Sequence, residues 1–134
     1  MNQIAITTMK AFTLGWGMVF LFVVFNSFGS MMIKTQVQSL GSWNFSTPQS
    51  IFSYFFTLFS SLKTWIGLAA VSIATASWII ALAKLELSKA YPVAVGLNLL
   101  VVVAISLIRF HEPLTICKMV GIFLVFTGVI FLFR

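Results

Sequence analysis

Apolar residues run almost unbroken through four stretches of membrane length, residues 12–33, 64–83, 90–108 and 116–133, and none has a charge at its centre. A helix of about 20 residues, rising about 1.5 Å per residue, crosses a hydrocarbon layer of about 30 Å. The stretches are apolar on every face and show no alternation of period two. Helices therefore fit better than barrel strands, because a helix bonds each N–H within its own segment. A soluble bundle would carry charged outer faces, which are missing here. The pattern predicts an all-α membrane protein, a single domain over residues 1–134 with four transmembrane helices.

The longest connection, residues 35–63, begins with a polar stretch containing Gly41, Ser42, Asn44, Ser46, Thr47 and Pro48 and continues as IFSYFFTLFSSL. In that run Ile51, Phe52, Phe55, Phe56, Phe59 and Leu62 recur at helical spacing, and Ser53, Thr57, Ser60 and Ser61 fall largely opposite. This spacing predicts a short amphipathic helix over about residues 49–61, lying in the membrane interface between the first two membrane helices. Trp43, Tyr54 and Trp65 suit the same depth. Ser46 or Thr47 is the candidate cap, with Pro48 in the first turn. Asn44-Phe45-Ser46 also matches a glycosylation acceptor, a triplet too common by chance to carry weight.

Composition agrees: 60% hydrophobic and 7% charged residues, with a mean hydropathy of +1.10, leave too little polar surface for solution in water. The first segment is too long for a signal-peptide core and lacks a small-residue cleavage site, so it is expected to stay. The net charge of +6 comes from eight basic residues scattered singly at segment ends, with no patch suited to nucleic acid. Lys10, Lys84, Lys89 and Arg134 fall on one side of the membrane and Lys34, Lys63, Arg109 and Lys118 on the other. The excess of Lys and Arg that normally marks the cytoplasmic side is therefore a tie, compatible with an antiparallel pair. An N-terminus inside is the favoured orientation. Cys117 stands alone and cannot form an intrachain disulfide.

The polar residues inside the segments are Asn26 and Asn98, accompanied by Ser27, Ser30, Ser77 and Ser106. An unpaired amide in hydrocarbon costs on the order of a few kcal/mol, so both Asn side chains should face protein or a wet cavity. They either bond helices together or line a path for a polar headgroup, and both readings stay open. Gly67, Ala70, Ala74, Ser77 and Ala81 form a small-residue stripe that lets another helix approach closely. Gly121 and Gly128, seven apart on the last segment, form a candidate contact between protomers. Four short helices enclose little volume, so a path across the membrane calls for a dimer.

The segments FNSFGSMMIK, LSKAYPVAVGLN and FHEPLTICKMVGIFLVFTGVIFL together resemble the four-helix members of the drug/metabolite transporter superfamily. The chain looks similar to small multidrug resistance transporters. It looks closer still to the small paired subunits proposed to flip aminoarabinose-phosphoundecaprenol across the bacterial inner membrane. The resemblance carries over to Gly29 and Lys34 near the end of the first helix, to Tyr91 and Gly96 at substrate-facing positions, and to Gly121 and Gly128 at the dimer contact. Two positions depart from the multidrug pattern: Asn26 stands where those transporters have a glutamate, and Ala94 where they have a tryptophan. Asn cannot titrate and offers no anionic site, which disfavours proton-coupled cation antiport there.

The resemblance and the electrostatics together imply a flippase subunit for a polyprenyl-phosphate-linked sugar in the bacterial inner membrane. Asn26, Tyr91, Gly96 and Asn98 would contact the headgroup, and Lys34 and Arg109 would attract phosphate from either leaflet. The expected partners are membrane lipid, the lipid-linked sugar, and a second copy or a similar small four-helix protein, with no nucleic acid. The alternatives are a small-molecule exporter coupled through Glu86, His111 or Glu112, with Glu112 otherwise pairing with Arg109 or capping the last helix, and a non-transporting assembly subunit. One His and two carboxylates give no metal cluster and no activated nucleophile, so neither enzyme activity nor a cofactor is expected.

Overall fold

The structure, a computed structural model, describes residues 2–41, 47–113 and 115–131, with side chains from Phe12 onward. Trp43, Asn44 and Ser46 lie outside the described residues, as do the side chain of Lys10 and all of Leu132 to Arg134. Five helices follow in order: α1 (Asn2–Leu40), α2 (Pro48–Phe59), α3 (Leu62–Leu82), α4 (Leu87–Phe110) and α5 (Ile116–Phe131). Three of them, α1, α3 and α4, are long and apolar enough to cross a membrane; α5 is apolar but shorter.

The largest departure from the expected boundaries is α1, which runs 39 residues, or about 57 Å at about 1.5 Å per residue. Hydropathy marks residence in lipid rather than helicity, so the polar turns after Ile33 went unseen. They continue the helix: Thr35 Oγ1 donates to the Met31 carbonyl at 2.8 Å. Gly41 then ends it, with φ of 72° and its N–H returned to the Gln38 carbonyl at 3.2 Å.

Thr47 is the cap of α2, in a capping box with Ser50 and with Pro48 in the first turn. At the other end of α2, Thr64 Oγ1 donates to the Leu58 carbonyl at 2.6 Å and Trp65 Nε1 to the Phe59 carbonyl at 2.8 Å. Trp65 satisfies a carbonyl at the end of α2, Thr64 adds a second donor to the Leu58 carbonyl that the Ser61 N–H also reaches at 3.3 Å, and the two side chains hold the α2–α3 corner.

Helix α1 is the hub: it packs most extensively on α3, next on α4, and lightly on α2, whereas among the described residues α5 touches α4 alone. The α3 face toward α1 is the small-residue stripe: Gly67, Ala70, Ala74, Ser77 and Ala81 are all buried, with Thr64 one turn before. The two helices run antiparallel, Gly29 beside Val71 and Ile33 beside Gly67, and Gly15 meets Leu85 in the connection just past the end of α3. At the crossing the backbones nearly touch. A β-carbon on Gly29 would lie 2.7 Å from the Gly67 carbonyl oxygen, and one on Gly67 would lie 3.0 Å from that of Gly29. Farther along, Val19, Ala81 and Ala94 from three helices form the core, flanked by Phe22 and Trp78 with ring centroids 5.1 Å apart. Large side chains such as Phe20, Ile79, Phe123 and Ile130 point outward, the distribution expected of lipid-facing helices.

Gly29→Ala should cost about 1–3 kcal/mol, because the obstructing atom is backbone and cannot rotate away. Gly121, whose added β-carbon meets nothing within 4 Å, should tolerate Ala with a change below about 1 kcal/mol. Helicity followed through an SDS titration in detergent micelles separates the two.

Candidate functional site

The two asparagines meet. Asn26 Nδ2 on α1 donates to Asn98 Oδ1 on α4 at 3.1 Å, and Ser27 Oγ donates to the same oxygen at 3.1 Å. Ser27 is buried, and both Asn residues are half-buried. Among the described residues, Asn98 Nδ2 and Asn26 Oδ1 have no protein partner, and neither atom is sealed from its surroundings. The amides therefore bond α1 to α4 while keeping a donor and an acceptor available. Ser77 belongs to the stripe instead, returning its hydroxyl to the Ile73 carbonyl at 2.9 Å.

Two turns along α1 toward its C-terminus, Lys34 forms an ion pair with Glu112 in the α4–α5 connection. Its ammonium lies 4.3 Å from the centre of the Phe110 ring. Glu112 thus pairs with Lys34, neither bonding Arg109 nor capping α5. The geometry of the α4 end explains why. His111 takes a left-handed conformation, φ 50° and ψ 34°, and the Glu112 N–H returns to the Ser106 carbonyl at 3.2 Å. This reversal turns the Glu112 side chain back toward α1. The Lys34 hydrogen bond, joined by the charges of Lys34 and Lys118, holds the Glu112 carboxyl below its ordinary 4.5 despite partial desolvation. At the opposite end of the bundle Glu86 is lowered in the same way by its hydrogen bond to Lys89, 2.7 Å away, and by that residue's charge.

A cavity of about 470 Å³ opens between α4 and α5 beside this ion pair. Lys34, Glu112 and Lys118 stand at one end, and its walls are apolar, with Leu99, Val103 and Ile122 among them. A smaller cavity of about 60 Å³, lined by Ser27, Ser30 and Ser106, shares Lys34 with the first. Hydroxyls and amides thus trace a polar line on the α1–α4 seam from mid-helix to the ion pair.

Other expected site residues lie elsewhere. Tyr91 is exposed at the start of α4, its ring 6.1 Å from that of Trp78. It is about 27 Å along the helix from Arg109, at about 1.5 Å per residue, and does not join the cavity. Arg109 is exposed in the last turn of α4, where it complements the helix dipole, and it does not line the cavity either. It shares one end of the bundle with Lys34, so a single chain presents both cations to one side. Gly96 is buried, and a β-carbon there would sit 3.5 Å from Val129, which makes it an α4–α5 packing position. Gly121 lines the cavity, and β-carbons at Gly121 and Gly128 would meet open space. Lys118 and Phe110 escaped the sequence reading as site residues. Lys118, a cation in the first turn of an apolar helix beside the HEP stretch, was the available signal. Among the described residues no His, Cys, Asp or Glu cluster could hold a metal.

No family model, curated protein or solved structure matches the chain.

Replacing Asn26 and Asn98 by Leu, singly and together, should give a coupling of about 1 kcal/mol in detergent unfolding. Because Lys34 lowers the folded-state value of Glu112, the pair's contribution is complete above about pH 4.5 and is lost as pH falls through the lowered value. Lys34→Met should move the Glu112 titration, read from its carboxyl carbon resonance, upward toward 4.5.

Proposed function

We propose that the protein is a transporter subunit of the bacterial inner membrane that flips a polyprenyl-phosphate-linked sugar or related lipid-linked headgroup. In this reading α5 is the fourth membrane span, and α2 rests in the interface with Phe52 and Phe56 turned to lipid. The observation that carries the reading is the α4–α5 cavity, whose apolar walls end at two ammonium groups and one carboxylate. Its lining carries one net positive charge, suited to a phosphodiester, and its walls suit a hydrocarbon chain. The polar line from Lys34 to Asn26 and Asn98 offers hydrogen bonds at a depth where lipid offers none.

The chain works as a dimer, with a second copy or a similar four-helix protein against α5. Among the described residues that helix has none buried and contacts only α4, and its two glycines are open. In an antiparallel pair the second protomer supplies the lysines of the opposite leaflet. The exporter reading gains one observation, since Glu112 lines the same cavity. Lys34 neutralises that carboxylate, which leaves a cation little to bind.

The test reconstitutes the protein in liposomes carrying a short polyprenyl-phosphate-linked amino sugar and follows its reaction with a membrane-impermeant amine reagent. Protein should expose the inner-leaflet pool, and the joint change Lys34→Ala with Lys118→Ala should slow exposure by about tenfold or more. Exposure no faster than in empty liposomes would sink the reading. Transport of a lipophilic cation that is lost in Glu112→Gln would favour the exporter.

A further inference from the structure

We infer that Glu112 is a built-in stand-in for the ligand's phosphate: its carboxylate fills an anion site made by Lys34 and Lys118 and leaves that site when a phosphate enters. The inference deepens the transport reading and rests on it only for the kind of cargo.

Three observations meet at this point. Lys34 and Lys118 line one cavity from different helices, α1 and α5, and Glu112 stands in the same lining. Among the described residues Glu112 pairs with Lys34 alone; Lys118 Nζ reaches the Pro113 carbonyl at a long 3.4 Å, so its charge is only partly used. The carboxylate sits on the short α4–α5 connection, held by a left-handed His111, and Lys34 and Glu112 each keep about two-fifths of their side-chain surface exposed. A pair this exposed can exchange partners, and a phosphate oxygen presents to an ammonium the acceptor that a carboxylate does.

Exchange has a mechanical consequence. The described contacts tie α5 to the bundle through α4 only, and the Lys34–Glu112 pair links α1 to the turn that precedes α5. When phosphate bridges Lys34 and Lys118, the tie to α1 passes from the Glu112 turn to Lys118 on α5 itself, and the turn that precedes α5 is released. Without ligand, Glu112 occupies Lys34 and ties the α4–α5 turn to α1. The atoms involved are those of an ion exchange; no covalent step is needed.

The test uses the full-length protein in a neutral detergent, with dodecyl phosphate as probe and with inorganic phosphate, dodecyl maltoside and dodecyltrimethylammonium as comparisons, binding being read by native mass spectrometry. Glu112→Gln should bind dodecyl phosphate about tenfold more tightly than wild type, because the internal competitor is gone. Lys34→Ala should weaken binding by a similar factor. A second readout needs no variant at a charged residue: Cys117, the only cysteine and exposed, takes a spin label at the start of α5. Its spectrum should change with dodecyl phosphate and stay unchanged with dodecyl maltoside or the cation.

Binding that is unchanged or weaker in Glu112→Gln, or a label indifferent to dodecyl phosphate, overturns the inference. If inorganic phosphate binds as well as dodecyl phosphate and Glu112→Gln strengthens both, the role of Glu112 stands and the lipid-transport reading falls. If the liposome assay shows flipping while Glu112→Gln leaves binding unchanged, the transport reading stands and this inference falls.

Discussion

Backbone contact between Gly29 and Gly67 sets the geometry on which the other features depend. In lipid, burying apolar side chains gives helices little reason to associate, since the hydrocarbon around them is equally apolar; close packing has to supply the attraction. Two glycines opposite one another bring α1 and α3 to a separation that any β-carbon would prevent. Along the rest of the seam, Ala70, Ala74, Ser77 and Ala81 keep the pair close. With α3 held against one side of α1, another side is left to α4. Val19, Ala81 and Ala94 meet from the three helices, and Asn26 and Asn98 come within hydrogen-bond distance.

Polar residues then decide register where packing alone would allow sliding. A one-turn shift of α4 along α1, about 5.4 Å, would separate Asn98 from both Asn26 Nδ2 and Ser27 Oγ and carry Glu112 away from Lys34. Each loss leaves polar atoms facing hydrocarbon or its boundary, which is costly there. The seam is therefore specified at two depths by different chemistry, an amide pair and an ion pair. Glu86 and Lys89 play no part in it, being three residues apart at the start of α4.

The parts of this arrangement readable in advance were those governed by a single helix and its solvent. The α3 stripe, the Thr47 cap with Pro48, and the outward aromatic residues follow from periodicity and local chemistry. The need of Asn26 and Asn98 for partners was also legible, though which partners was not, because that depends on α1 and α4 being neighbours. Tertiary detail overrode expectation at three places. The helix past Ile33 is polar and so invisible to a hydropathy reading. His111 reverses the chain and sends Glu112 to α1, although Arg109 stands nearer in sequence. Gly96 serves the α4–α5 packing, a role that needs Val129 opposite it.

The asymmetry of the bundle bears directly on the proposed transport. Lys34, Lys63, Arg109 and Lys118 gather at one end with Glu112, and the cavity opens there, while the other end of α4 carries Tyr91, Glu86 and Lys89 on exposed turns. In the proposed transport, one chain so built receives an anionic headgroup from one leaflet only, because its cation pair and its apolar walls share a single mouth. Flipping needs an equivalent receptor on the far side. An inverted second copy provides it without further residues, by turning the same mouth to the opposite leaflet. The tie in boundary charges read from the sequence, four basic residues and one carboxylate on each side, fits insertion of the proposed pair in both orientations. The open face of α5 is then the natural seam between the copies. It also carries Lys118, so that in the proposed transport the exchange of Glu112 for phosphate acts on the helix that forms this seam.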